Sequence, residues 1–235
     1  MAREFTKNML IVLVAIMMGF VIITYFIADI VRRSDLAELT TKKNIEINTI
    51  EGRNVNFTDH FLESSILLDT AREDRSFGDY HFDLARLFYT GALAENGESE
   101  MEYYKTRTID NCTNAMQKYL YSNLNFKSSS KFFNDTKQYT TVSSYTRLLN
   151  LYFNLTMSGA RLTMLRYNAS MYLKALAENL TMVNGSVGYL TNVSDLLNLY
   201  NETNGMYGAE LIIYNDYNKM IQEYDIAGFS TVRES

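Results

Sequence analysis

The residues best suited to chemistry crowd between positions 59 and 83. Asp59, His60, Glu63, Asp69, Glu73, Asp74, Asp79, His81 and Asp83 fall there against only Arg72 and Arg75. The window therefore carries a formal charge equal to that of the whole chain, -5, and it holds both histidines. On a helix, Asp59 and Glu63 share a face at i,i+4 with His60 beside them, the start of a carboxylate–imidazole set for a divalent metal. Asp69 and His81 complete the candidate ligands. If helices over 57–72 and 78–92 fold back around Arg75, His81 meets Asp69 and stands two to three turns from His60. The expectation is then a solvated acidic surface with a local His81–Asp69 pair, and neither a metal nor another cofactor.

The other reactive types are sparse. One cysteine excludes an internal disulfide framework and a thiolate zinc site. Cys112 sits in an apolar helical stripe with no evident basic neighbour, as a small buried hydrophobe does. A Cys–His nucleophilic pair would lack a third, orienting group. No Gly-rich phosphate loop, G-x-S-x-G elbow or H-E-x-x-H is present. No catalytic constellation emerges, so an enzyme is not expected. The acidic balance argues against a nucleic-acid partner.

One chemical motif does recur. N-x-S/T sequons begin at Asn56, Asn111, Asn134, Asn154, Asn168, Asn179, Asn184, Asn192 and Asn201. With 22 Asn and 38 Ser plus Thr in 235 residues, chance placement of such a motif gives roughly four. All nine lie beyond an apolar run, MLIVLVAIMMGFVIITYFIA at 9–28. Twenty residues at about 1.5 Å each match a hydrocarbon core of about 30 Å. The run lacks a clean A-x-A-like cleavage site, so an uncleaved anchor is expected over a processed leader.

This divides the chain into a short cytoplasmic tail (1–8), a transmembrane helix (9–31) contacting the bilayer, a polar stalk or helix continuation (32–56) and an extracellular helical-bundle domain (57–235). Arg32, Arg33, Lys42 and Lys43 favour the opposite orientation by simple charge count, but long domains translocate largely regardless of charge. The sequons favour an exterior domain at the cell membrane, and the cytoplasmic orientation is the alternative. An exterior domain without disulfides fits an archaeal-like envelope better than a small secreted eukaryotic protein.

The elements that must position these residues are helical. Not one Pro occurs, where about 5% is usual, and nothing then forbids long uninterrupted helices. Apolar residues recur at helical spacing over 57–69, 79–93 and from 101 onward, where Met101, Thr108 and Ala115 interleave with Cys112 and Tyr119. Ser99 is the expected cap of that third helix, with Glu102 three residues on. Residues 127–136 (KSSSKFFNDT) read as a polar loop. Thr136–Val183 reads as one helix, or two broken at Ser158-Gly159, ended by Asn184-Gly185-Ser186. On an unbroken helix Asn154, Asn168 and Asn179 project within about 40° of one another, with Leu165 and Tyr172 nearby. After Asn204-Gly205, Met206, Ile213, Met220 and Ala227 fall seven apart, with Tyr217 and Tyr224 interleaved, a coiled-coil-like seam expected in the bundle core. No internal repeat and no strand pair with an Asn-Gly turn is evident. The expected class is all-α: a single transmembrane helix followed by a multi-helix bundle.

A membrane-anchored, N-glycosylated helical module with a structural or partner-binding role, as an accessory subunit or cell-surface protein, accounts for these features. Self-association is the other form that binding could take. The alternatives are a ligand-binding sensory ectodomain, resembling helical-bundle sensor domains in general plan only and acting through a partner, and a carboxylate/His metal-site enzyme.

Overall fold

The computed structural model describes the backbone of residues 2–229 and the side chains of Thr24, Tyr25, Asp29 and residues 31–224. The described residues are all-α apart from one small hairpin: α1 (Ala2–Ala94), α2 (Glu98–Thr136), a 3-10 turn (Lys137–Tyr139), α3 (Ser143–Glu178), β1 (Leu180–Val183), β2 (Ser186–Tyr189) and α4 (Ser194–Phe229). It divides into two compact units, 1–53 and 54–235. Among the described residues no helix is long and apolar enough to cross a membrane. The expected transmembrane run, 9–28, lies almost wholly outside the described side chains. In the first unit, residues 31–53 are helical with every side chain exposed, crossed by ion pairs such as Lys42–Glu38 at 2.7 Å.

The second unit is a bundle of four antiparallel neighbours. Its organising pattern is a column of small residues on α1, Ser64, Ala71, Gly78, Ala85 and Ala92, spaced by seven and all buried. A matching column on α2, Thr108, Ala115, Ser122, Ser129 and Thr136, has the same spacing and is fully buried. Two hydrogen bonds set the register: Ser122 Oγ donates to Ala71 O at 2.6 Å, and Ser129 Oγ to Ser64 O at 2.7 Å. Seven residues down α1 correspond to seven up α2, so the pair is antiparallel. A seven-residue repeat is the signature of helices kept in continuous contact. Larger residues fill the space behind: Phe126 and Phe133 of α2, Leu148, Leu155 and Leu162 of α3, and Tyr207, Tyr214 and Ile221 of α4.

Several sequence expectations are corrected here. α1 runs unbroken through Arg75–Gly78, because Gly78 serves close approach: a Cβ there would lie 2.7 Å from the Tyr119 ring. α3 likewise passes through Ser158-Gly159 as one helix, with Gly159 facing Phe126, whose ring would stand 2.5 Å from an added Cβ. Residues 127–136 are helix, since Ser129 and Thr136 continue the buried small-residue column. α2 is capped by Gly97 in extended conformation, with Glu98 and Glu100 in the first turn, where acidic side chains suit the helix dipole. Ser99 falls inside that turn.

Asn184-Gly185-Ser186 does not end a helix. Asn184 (φ 52) and Gly185 (φ 85) both take positive φ in a two-residue turn pairing Val183 with Ser186, the primed-turn geometry that Asn-Gly favours. The hairpin shields the bundle end through Leu180, fully buried with Ala92 and Met101. α4 is continuous through Asn204-Gly205, and its seam is shifted by one residue. Met206, Ile213 and Met220 are exposed, whereas Tyr207, Tyr214 and Ile221 are buried; the side chain of Ala227 lies outside the described residues.

Glycine at these positions does two different jobs, which mutation separates. Gly159→Ala forces a Cβ into the buried Phe126 ring and should cost about 1–3 kcal/mol. Gly205→Ala, at a helical site with nothing within 4 Å, should gain roughly 0.5–1 kcal/mol from helix propensity. Urea denaturation of each variant checks the opposite signs.

Candidate functional site

The acidic window 59–83 lies along one helix, so it cannot fold back on itself. His60 and His81 are separated by 21 residues, about 31 Å along the axis, and Asp69 and His81 by about 18 Å. His81 Nδ1 meets Asn111 Oδ1 at 3.1 Å instead, and Asp69 pairs with Arg72 at 3.4 Å. His60 stacks on Tyr139, ring centroids 5.2 Å apart. Asp59 and Glu63 point to solvent. Among the described residues no group of three or more His, Cys, Asp or Glu is placed to hold a metal. Cys112 is a free, fully buried thiol. Burial pushes it up to about 12, with Lys174 pulling weakly the other way.

The chemistry that the window does contribute is a half-buried polar layer at the side of the bundle. Asp79 accepts a hydrogen bond from Tyr119 Oη at 2.7 Å and lies 3.7 Å from Arg166 Nε of α3. The Arg166 guanidinium is sandwiched between the rings of Tyr207 (3.7 Å) and Phe82 (4.7 Å), and its Nη1 donates to Asn204 Oδ1 at 2.9 Å. One turn away, Arg75 stacks on Tyr214 at 4.6 Å, and Arg72 donates to Tyr214 Oη (3.2 Å) and Asn218 Oδ1 (3.1 Å). This layer ties α1, α2, α3 and α4 together. Each stacked guanidinium is worth roughly 0.5–2 kcal/mol, more where it is desolvated. Two donors in it, Arg75 Nη1 and Arg166 Nε, are buried without a hydrogen-bond partner. Desolvation raises the Asp79 carboxyl above its ordinary value despite the Tyr119 bond and the nearby Arg166 and Arg75. Burial, then the Asp79 charge, holds the Tyr119 phenol far above its usual range.

The surface carries a second feature. Leu62, Ile66, Phe77, Tyr80 and Leu87 of α1 are exposed, Ile66 by 66% and Leu87 by 65%. At about 100° per residue they project within about 80° of one another, opposite the small-residue column. Asp59, Asp69 and Glu73 interleave on the same face, flanked by Glu63 and Asp83, and all five are exposed. Five large apolar side chains thus share one exposed helix face with five carboxylates.

The nine sequon asparagines divide by exposure. Asn56, Asn134, Asn184, Asn192 and Asn201 are exposed, and Asn111, Asn154, Asn168 and Asn179 are half-buried. Because α3 is unbroken, Asn154 and Asn168 do share a face, but one that is only half open. No family model, no curated protein and no solved structure matches the chain.

The raised Asp79 carboxyl fixes the sign of a pH effect. Its folded-state value exceeds the unfolded value near 3.8, so the unfolded chain binds fewer protons at pH values just above 3.8. The Asp79 contribution to stability is therefore greatest at low pH and declines as pH rises through that window. Asp79→Asn should remove this component. Melting temperatures of the variant between pH 4 and 7 should fall less, or rise more, with pH than those of the parent chain.

Proposed function

We propose that the chain is a membrane-anchored extracellular, N-glycosylated helical module that binds a partner protein, as an accessory subunit or cell-surface protein. The observation that carries the partner-binding reading is the outer face of α1. Five large apolar side chains in helical register are left in water there, and covering each would stabilise a complex by about 1.5–3 kcal/mol before the costs of association. The acidic residues along the face select a partner with an apolar helix flanked by Lys or Arg, since such a rim complements Asp59, Glu63, Asp69, Glu73 and Asp83. A second copy of the same face would set these carboxylates against one another. The apolar run at 9–28 and the sequon excess support the anchored, exterior topology. Glycopeptide mass spectrometry of the protein from its host tests the topology: glycan at any sequon supports it, and uniformly unmodified peptides restore the cytoplasmic orientation.

A sensory reading draws on a different observation. Arg75 Nη1 and Arg166 Nε make no hydrogen bond, Arg166 Nε standing 3.7 Å from the Asp79 carboxylate, and a small anion bonding to them would raise the melting temperature in proportion to the logarithm of its concentration. A thermal scan against inorganic phosphate and small dicarboxylates that shows no shift removes this reading.

For the partner, the expected result concerns assembly size. In mild detergent extracts of the host membrane, the parent chain should migrate in a complex larger than its own glycosylated monomer and dissociate as salt rises. Ile66→Glu with Tyr80→Glu should return it to the monomer, with helical circular dichroism unchanged. A monomeric parent, or a complex untouched by both substitutions, overturns the assignment to α1; a complex of this chain alone overturns the basic partner.

A further inference from the structure

We infer that the folded protein can accept Asn-linked glycan at Asn184 and Asn192 only, and that the other seven sequons can be modified only before the helices form. The inference rests on the exterior reading for its biological setting, and on geometry for its selectivity. A transferase joins the Asn carboxamide to a lipid-linked oligosaccharide: the Nδ2–C1 bond forms as the bond from C1 to the lipid phosphate oxygen breaks. The electron pair leaves with the phosphate, and one Nδ2 proton is lost to the enzyme. To do this while reading the hydroxyl at the third sequon position, the enzyme must gather both side chains into one site.

An α-helix prevents that. Residues i and i+2 project about 200° apart, on nearly opposite faces. Six sequons, at Asn56, Asn111, Asn134, Asn154, Asn168 and Asn201, lie entirely within helices. Asn134 and Asn201 are exposed while their partners Thr136 and Thr203 are buried; Thr156 and Ser170 are buried as well. The hydroxyls of Thr136, Thr156 and Ser170 already donate to backbone carbonyls one turn back, at 2.6 to 2.9 Å. At Asn56 both side chains are exposed, but Thr58 Oγ1 is turned back to Asn54 O at 2.9 Å. The Asn111 carboxamide is held by Arg107 O and His81.

Asn179 lies at the end of α3 with its carboxamide equally committed. Nδ2 donates to Ala175 O at 2.9 Å, and Oδ1 accepts from Thr191 Oγ1 at 2.8 Å.

The remaining two differ in kind. Asn184 occupies the hairpin apex; Asn184, Gly185 and Ser186 are all exposed, and the Ser186 hydroxyl makes only a long contact, 3.3 Å, to Val183 O. Asn192 precedes α4 outside any helix. Its Oδ1 accepts from both the backbone N (3.0 Å) and the Oγ (2.7 Å) of Ser194, so carboxamide and hydroxyl stand on one side of the chain. Both lie in the connection between α3 and α4.

The test uses the full chain, purified without glycan in detergent, with an Asn-glycosylating transferase and its lipid-linked donor; tryptic peptides of the same chain serve as the unfolded substrate. Folded protein should be modified at Asn184 and Asn192 at least tenfold above each other site, whereas the peptides should also take glycan at helical sequons such as Asn134 and Asn154. Folded-state modification of Asn154 or Asn168 on a par with Asn184 overturns the inference. So does failure of folded protein to accept glycan at Asn184 and Asn192, whether or not the peptides do. If host protein carries no glycan while this selectivity holds in vitro, the exterior topology fails and the geometric inference stands.

Discussion

The hydroxyl of Ser122 can reach the carbonyl of Ala71 across a helix pair only because nothing larger than a methyl or hydroxymethyl group stands between the two backbones. That constraint is repeated every seven residues along α1 by Ser64, Ala71, Gly78, Ala85 and Ala92. Close packing gains dispersion contacts and lets side-chain hydroxyls bond across the seam. It also removes room for large apolar residues there, so bulk is displaced elsewhere. The Tyr119 ring packs closely against Gly78, and the Phe126 ring against Gly159. Along this seam the bulk comes from α2 and α3, while α1 adds its large core side chains, Leu68 and Phe82, beside the column.

The polar layer follows from the same arrangement. With its ring seated over Gly78, Tyr119 points its hydroxyl at Asp79, and Arg166 from α3 enters the space beside Phe82 and Tyr207. Burying these groups costs desolvation that their mutual contacts only partly offset, as the raised Asp79 carboxyl records. Among alternative registers, only one in steps of seven brings the small columns together, and only one of those seats Tyr119 against Asp79. The layer is therefore better placed to specify register than to add stability.

How much of this was legible in the sequence depends on what each residue type can signal. Helical class was legible, because absence of Pro and 3-4 spacing around Met101, Cys112 and Tyr119 both act locally. The breaks were misplaced because glycine has two meanings. Gly78, Gly159 and Gly205 sit inside helices, while Gly97 caps one and Gly185 turns the hairpin. Only the neighbours across the bundle distinguish a glycine that bends the chain from one that admits a ring. The start of the α2 repeat is legible at Met101, Thr108 and Ala115, but the α1 repeat is not, because its members are Ser, Ala and Gly, which hydropathy does not rank as core. The α4 seam slipped by one residue for a related reason: Tyr207 and Tyr214 are as amphipathic as any surface tyrosine, and Met206 and Ile213 look more apolar than the residues actually buried. The hairpin is absent from the sequence reading although Leu-Thr-Met-Val-Asn-Gly-Ser-Val-Gly-Tyr carries its Asn-Gly turn, because its arms are four residues long and follow a helix without a pause. The acidic window misled because its groups were grouped by sequence distance, whereas a continuous helix spreads them over many turns.

The small-residue column also determines what the opposite side of α1 can be. The inner face of that helix alternates the small column with a few large core side chains, Leu68 and Phe82 among them, and so leaves its outer face out of the core. Yet Leu62, Ile66, Phe77, Tyr80 and Leu87 are present on the outer face, where folding of this chain does not use them. On that face the apolar side chains are interleaved with the exposed carboxylates Asp59, Asp69 and Glu73. Glycan attached at Asn184 or Asn192 would leave α1 itself unmodified, since both lie in the connection between α3 and α4. The same logic separates the seven other sequons from that face in time: glycan added to them must precede the helices against which a partner would pack.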